Sequence, residues 1–202
     1  MSVLPALDLA NASFVTPRLL VGGDLDQWDD ALAHCQLGEL VGQGVTHVVD
    51  VRIEADDRRF VERVSDRVTY HWHGMHDQGQ RVPTAWFDEG VRLVLDALED
   101  PDAIVLCHCH MGINRGPSLG YAVLLAQGFD VVEAIDAIRT ARPIAAVAYA
   151  EDALRWHHRR TGAPLTQRRE DRARLKAWRQ EHPLDVVRII AERRRDEGPA
   201  QA

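Results

Sequence analysis

Short apolar runs alternate with stretches whose apolar residues recur at helical spacing, and this alternation predicts an α/β domain. Leu19-Leu20-Val21 reads as a strand that ends in the turn signal Gly22-Gly23. Asp30 to Val41 reads as a helix. Val45 to Val51 is rich in β-branched residues and reads as a buried strand, with Val68 to His73 as a further strand. A helix follows from Thr84, with Thr84 as its cap and Asp88 and Glu89 at the positive end of its dipole. Phe87, Val91, Val94, Leu95 and Leu98 share one face of it. Ala103 to Leu106 is a continuous apolar run, as expected of a central strand covered on both sides. Helices are then expected over Gly116 to Gln127, closed by Gly128, over Val131 to Thr140, with Pro143 just beyond, and over Ala148 to Arg160. From Gln167 the chain offers two more helical stretches split by Pro183, and Gly198 to Ala202 is expected to fray.

Composition and charge narrow the class. With 202 residues, 46% of them hydrophobic and 27% charged, the chain has the make-up of a soluble globular domain. No apolar run approaches the roughly 20 residues that cross a bilayer, and Met1 to Leu20 lacks the pattern of a secretory leader, so a cytoplasmic protein without a membrane partner is expected. Three cysteines, Cys35, Cys107 and Cys109, are too few and too odd for a disulfide framework. Residues 1–158 carry 12 basic and 24 acidic side chains, a net −12; residues 159–202 carry 12 and 7, a net +5; together they give the chain its −7. The acidic body disfavours broad nucleic-acid binding, and the basic tail reads first as a solvated helical face.

The candidate chemistry lies in His108-Cys109-His110-Met111-Gly112-Ile113-Asn114-Arg115-Gly116-Pro117-Ser118, between an apolar strand and an apolar helix. A loop that enters a helix N-terminus gathers backbone N–H groups into one concavity and adds the positive end of the helix dipole. Such a nest binds phosphate and also favours a thiolate, which makes a cysteine there nucleophilic. Arg115 offers a planar fork matched to two phosphoryl oxygens. Five residues between Cys109 and Arg115 let both point at one phosphorus, and Gly112 eases the turn.

This stretch resembles the Cys-x5-Arg phosphatase superfamily, written there as His-Cys-x5-Arg, and within it the dual-specificity, tyrosine-phosphatase-like branch. The resemblance spans about residues 14 to 160, including Thr16 to Gly23 and the Val45–Val51 strand. It implies a catalytic domain over 14–162, with 163–202 as a basic helical extension. It implies a central, mostly parallel twisted sheet of about four to five strands flanked by helices, with the phosphate loop between a strand and a helix. Cys109 would be the nucleophile and Arg115 the phosphate clamp. His110, Met111, Gly112, Ile113 and Asn114 would complete the phosphate-binding loop, with His108 and Ser118 in support. The family's general acid is an upstream Asp; Asp77, 32 residues before Cys109 in a polar loop, fits that place, with Asp88, Asp56 and Asp57 as alternatives. The chemistry implied is phosphomonoester hydrolysis through a phosphocysteine, with no metal and no other cofactor. One departure stands out: the family places Ser or Thr after the Arg, where this chain has Gly116, which implies slow breakdown of the phosphoenzyme.

Other readings attach to the same residues. His71, His73 and His76, or Cys107 to His110, could supply zinc ligands, but no pair of Cys-x2-Cys type is present. A phosphate-binding module without turnover would use the same loop. Cys107 reads as core packing or as a redox partner of Cys109, and Arg52 as a surface ion pair or an anion contact. A phosphorylated protein, phosphotyrosine first and phosphoserine or phosphothreonine after it, is the expected substrate. Gly112-x-Asn114-Arg115 is also similar to the RNA 5′-phosphatase branch, and a phosphoinositide is disfavoured because the loop interior holds no Lys or Arg.

Overall fold

The computed structural model describes residues 4–196. Five strands form one sheet: β1 (Ala12–Thr16), β2 (Leu19–Gly22), β3 (His47–Arg52), β4 (Thr69–Met75) and β5 (Val105–His108). Their spatial order is β1-β2-β5-β3-β4, with only β1 antiparallel to its neighbour. Eight helices accompany them among the described residues: α1 (Asp30–Gly42), α2 (Arg58–Val64), α3 (Thr84–Leu98), α4 (Arg115–Ala126), α5 (Val131–Ala141), α6 (Ala150–Arg160), α7 (Leu165–Glu181) and α8 (Val186–Asp196). The expected α/β class and mostly parallel sheet are found.

Strand periodicity divides the core into two layers. Leu19, Val21, Val49, Val51, Val105 and Cys107 face one side, with Phe87 of α3, Leu119 of α4, Ile135 of α5 and Trp156 of α6. Leu20, Val48 and Leu106 alternate onto the other side, against Leu37 and Leu40 of α1 and Val61 of α2. Each fully buried leucine contributes about 1.5–3 kcal/mol to this packing. β5 sits at the centre, apolar on both faces, which is why its four residues are all buried.

Several boundaries differ from the sequence reading. Thr84 is the first residue of α3 and Pro83 holds the cap position, with no side-chain cap bond. Asp88 lies past the first turn and accepts a hydrogen bond from Trp156 Nε1 at 2.6 Å, so it serves packing between α3 and α6. β1 and α2 were not expected: β1 is only five residues long, and α2 is seven residues long with three arginines. The two tail helices are present and Pro183 separates them. Leu175 and Trp178 of α7 enter the larger core, and Asp171 pairs with buried His158 at 2.8 Å. Gly198 to Ala202 lie outside the described residues. Among those residues no helix is long and apolar enough to cross a membrane.

Candidate active site

β5 delivers Cys109 to the carboxyl edge of the sheet, where α/β folds place their ligand sites. From there to Arg115, the first residue of α4, the chain wraps into a loop whose polar groups are sorted by direction. The loop carbonyls are engaged from outside. His110 O accepts from Asp24 N at 2.9 Å, and Met111 O and Gly112 O accept from the Arg142 guanidinium at 2.9 and 2.7 Å. Ile113 O accepts from Ala146 N at 2.7 Å, and Asn114 O from Ser118 N at 2.8 Å. The backbone N–H groups of Met111, Gly112, Ile113 and Asn114 have no protein acceptor among the described residues. A loop with its carbonyls held outward and its amides left open is suited to an anion.

Gly112 makes the wrap possible. Its φ is +65°, and a Cβ there would lie 2.4 Å from Gly22 C and from Arg142 Nη2. Val147, a β-branched residue at φ 49°, is held in a strained conformation where the α5–α6 connection pins the loop. Its neighbour Ala148 donates to Asn114 Oδ1 at 2.7 Å. Arg142 is buried, and burial brings its pKa down to about 10.

Arg115 is buried and held by Glu54, whose Oε2 and Oε1 accept from Nη1 at 2.7 Å and Nη2 at 2.5 Å. Nη1 also donates to Met75 O at 3.0 Å. Burial opposes the Arg115 charge, but the Glu54 carboxylate, with negative charge at Cys109 and Asp77, outweighs it and raises the pKa. In return the hydrogen bond from Arg115 brings Glu54 down to about 2. Glu54 takes the end of the guanidinium. The side edge stays open: Nε is buried with no hydrogen-bond partner, and Asp77 Oδ2 stands 3.5 Å from it.

Asp77 is placed by two donors, Asn114 Nδ2 at 2.6 Å and Tyr149 OH at 2.9 Å. Burial and then Asp77 push the Tyr149 phenol up to about 12, so it stays a donor. Asp77, Cys109, Asn114 and Arg115 line one cavity of about 330 Å³. Of the alternative acids, Asp57 and Asp56 lie elsewhere: Asp57 pairs with Arg52, and Asp56 caps the start of α2 through Arg58 N at 2.9 Å.

His108 is buried, with Nε2 3.8 Å from Asp50 and Nδ1 3.3 Å from Cys109 O. Ser118 Oγ donates to Asn114 Oδ1 at 3.4 Å and accepts from Tyr149 N at 3.3 Å, which places it in the loop's support. Gly116 has a packing reason. A Cβ there would lie 2.8 Å from Cys107 O and 3.0 Å from His108 Cα, so no Ser or Thr fits without a backbone shift. Burial alone pushes Cys107 up to about 12, and its side chain belongs to the core. Arg52 is neither a surface pair nor an anion contact: it is buried among Asp50, Asp24 and Asp57. Among the described residues no three His, Cys, Asp or Glu side chains are grouped so that they could hold a metal ion.

The sequence reading missed Glu54, Arg142 and Tyr149. Glu54 carried a weak signal, since it follows the carboxyl end of a parallel strand. Arg142 stands between an apolar helix and the apolar run after Pro143, where a charged residue needs a reason.

No family model matches the chain. Dual specificity protein phosphatase 13B of Mus musculus is 29% identical over 154 residues, 65% of this chain and 63% of that protein. The chain thus spans less than two thirds of that relative's length. Human DUSP28 matches in backbone with a TM-score of 0.61 at 17% identity, over 76% of this chain and 99% of that one. The fold is that of the dual-specificity phosphatases. PTPMT1, in a crystal structure in complex with PI(5)P, matches equally well: TM-score 0.61, 17% identity, 75% of this chain and 97% of that one. The resemblance read from the Cys109–Arg115 loop is borne out. Each of the two structural matches leaves about a quarter of this chain uncovered.

Proposed function

We propose that the chain is a cysteine-dependent phosphatase of phosphorylated proteins, with phosphotyrosine as its first substrate, acting through a phosphocysteine. The observation that carries this reading is the sorted loop: four amides without acceptors and an open Arg115 edge surround Cys109. A phosphate seated there accepts from the loop amides and from the Nε edge of Arg115, which replaces the 3.5 Å contact with Asp77. Cys109 sulfur attacks phosphorus in line; the S–P bond forms as the P–O bond to the leaving group breaks. Asp77, protonated for this step, gives its proton to the leaving oxygen. Water then attacks phosphorus, Asp77 takes a proton from it, and the S–P bond breaks to release inorganic phosphate and the thiolate. Asn114 and Tyr149 hold Asp77 at the site for both steps.

Three free cysteines fit a reducing, cytoplasmic setting. The likeness to PTPMT1 in its PI(5)P complex supplies a second reading, a phosphoinositide. The loop interior, His110, Met111, Ile113 and Asn114, brings no Lys or Arg to additional phosphates, which favours a protein monoester, and the same holds against an RNA 5′-triphosphate.

No hydroxyl follows Arg115, and Ser118 is engaged by Asn114 and Tyr149, so breakdown of the phosphoenzyme is the slow step. Rapid mixing with an aryl phosphate is expected to give a burst near one product per enzyme. Acid quenching should trap one phosphoryl group on the peptide that contains Cys109. Tight phosphate binding with neither burst nor adduct would instead identify a binding module without turnover.

A further inference from the structure

α8 lies outside both core clusters, yet one of its faces lines the catalytic cavity. Val186, Ile190 and Arg194 stand four residues apart, a single stripe on a helix, and all three border the space that holds Cys109 and Arg115. Val187, off that stripe, is 80% exposed. The α5–α6 connection contributes only the small side chains Ala146 and Ala148 to the same cavity. The cavity that holds the polar groups proposed to take phosphate also has Val186 and Ile190 in its lining, an apolar contribution from α8. An apolar flank beside a phosphate seat favours an ester whose carbon side is itself apolar. At the end of the stripe, Arg194 has no ion-pair partner among the described residues, whereas Arg188 pairs with Glu192 at 2.7 Å on the same helix. Residues 1–158 carry a net −12, so a cation at the cleft is what an acidic peptide needs on approach.

We propose that α8 is the specificity element of this site: Val186 and Ile190 form the wall for the ring of a phosphotyrosine, and Arg194 binds an acidic side chain next to it in the substrate. This deepens the phosphatase reading above and rests on it. The selected substrate is a phosphotyrosine segment with an Asp or Glu neighbour, and phosphoserine peptides gain nothing from the wall.

The test uses the full chain and three peptides: phosphotyrosine with acidic neighbours, phosphotyrosine with neutral neighbours, and phosphoserine with acidic neighbours. Replacing both Val186 and Ile190 by Ala is expected to raise KM for the two phosphotyrosine peptides about tenfold and to leave the phosphoserine peptide unchanged. Arg194→Ala is expected to raise KM about threefold for the acidic peptides only, with Arg194→Lys restoring much of it and Arg195→Ala changing nothing. Equal changes on all three peptides would overturn the proposal. So would a lower KM in the double variant, which would make α8 a cover over the cleft. Calorimetric binding of the same peptides to Cys109→Ser, with and without the α8 substitutions, judges the wall when turnover is absent. Binding preserved in the α8 variants overturns this inference alone. A wild type that hydrolyses a phosphoinositide vesicle and none of the peptides overturns both readings.

Discussion

Of the buried arginines near the carboxyl edge of the sheet, Arg52 and Arg115 both meet carboxylates, and their surroundings differ in one respect. Arg52 is saturated. Its Nε donates to Asp50, its Nη1 to Asp24 at 2.9 Å, and its Nη2 to Asp50 and Asp57 at 2.7 and 2.6 Å. Arg115 is saturated along one edge by Glu54 and left open along the other. A buried cation with a carboxylate on each nitrogen stiffens a structure; one whose side edge meets only a 3.5 Å carboxylate contact can exchange it for another anion. Arg52 does reach the site indirectly. It orders Asp50, which also accepts from Tyr70 at 2.6 Å and faces His108 at the base of the phosphate loop. One cluster thus holds the strand ends in place, and the other borders the cavity that contains Cys109.

The comparison predicts opposite phenotypes. Arg115→Lys keeps the charge but loses the fork, and kcat/KM should fall about a thousandfold with little change in stability. Loss of stability with activity retained per folded molecule would place Arg115 with the structural cluster. Arg52→Ala should do the reverse. It strands three carboxylates, and chemical denaturation should show a loss of about 3 kcal/mol while the folded fraction stays active. An undiminished unfolding midpoint would contradict the saturation argument. Glu54→Gln, which loosens the grip on Arg115 without removing it, should lower kcat/KM about tenfold.

Glu54 also carries a pH signature. Its folded pKa, about 2, lies below the ordinary 4.5, so its contribution to stability is complete above about pH 5. That contribution is lost as pH falls through the interval between those values. Denaturation midpoints of wild type and Glu54→Gln should therefore differ near neutrality and converge in acid. A gap that widened in acid would have the wrong sign for a depressed carboxylate.

The phosphate loop was legible in the sequence because its chemistry is local. Cys109, Gly112 and Arg115 must lie on one short turn between a strand and a helix, and chain spacing records that. The strands β3 and β5 were legible because burial on both faces favours β-branched and apolar residues, which dominate both segments. Glu54 and Arg142 were not, since Glu54 reaches the loop across 61 residues and Arg142 across 30. Their role exists only after the sheet has brought distant segments together. Arg52 was misread in part for the same reason: its partner Asp24 comes from a distant loop, and nothing in the local pattern signals burial. Thr84 looked like a cap by residue type, but Pro83 before it already sets the extended backbone that starts α3.

The central claim is that Cys109 on this loop is a phosphate-directed nucleophile. Hydrolysis of an aryl phosphate, measured with excess chelator for the wild type and for Cys109→Ser, tests it most directly. The account predicts activity that survives chelation and vanishes in the variant. Activity that Cys109→Ser retains, or that chelator alone abolishes, would contradict it.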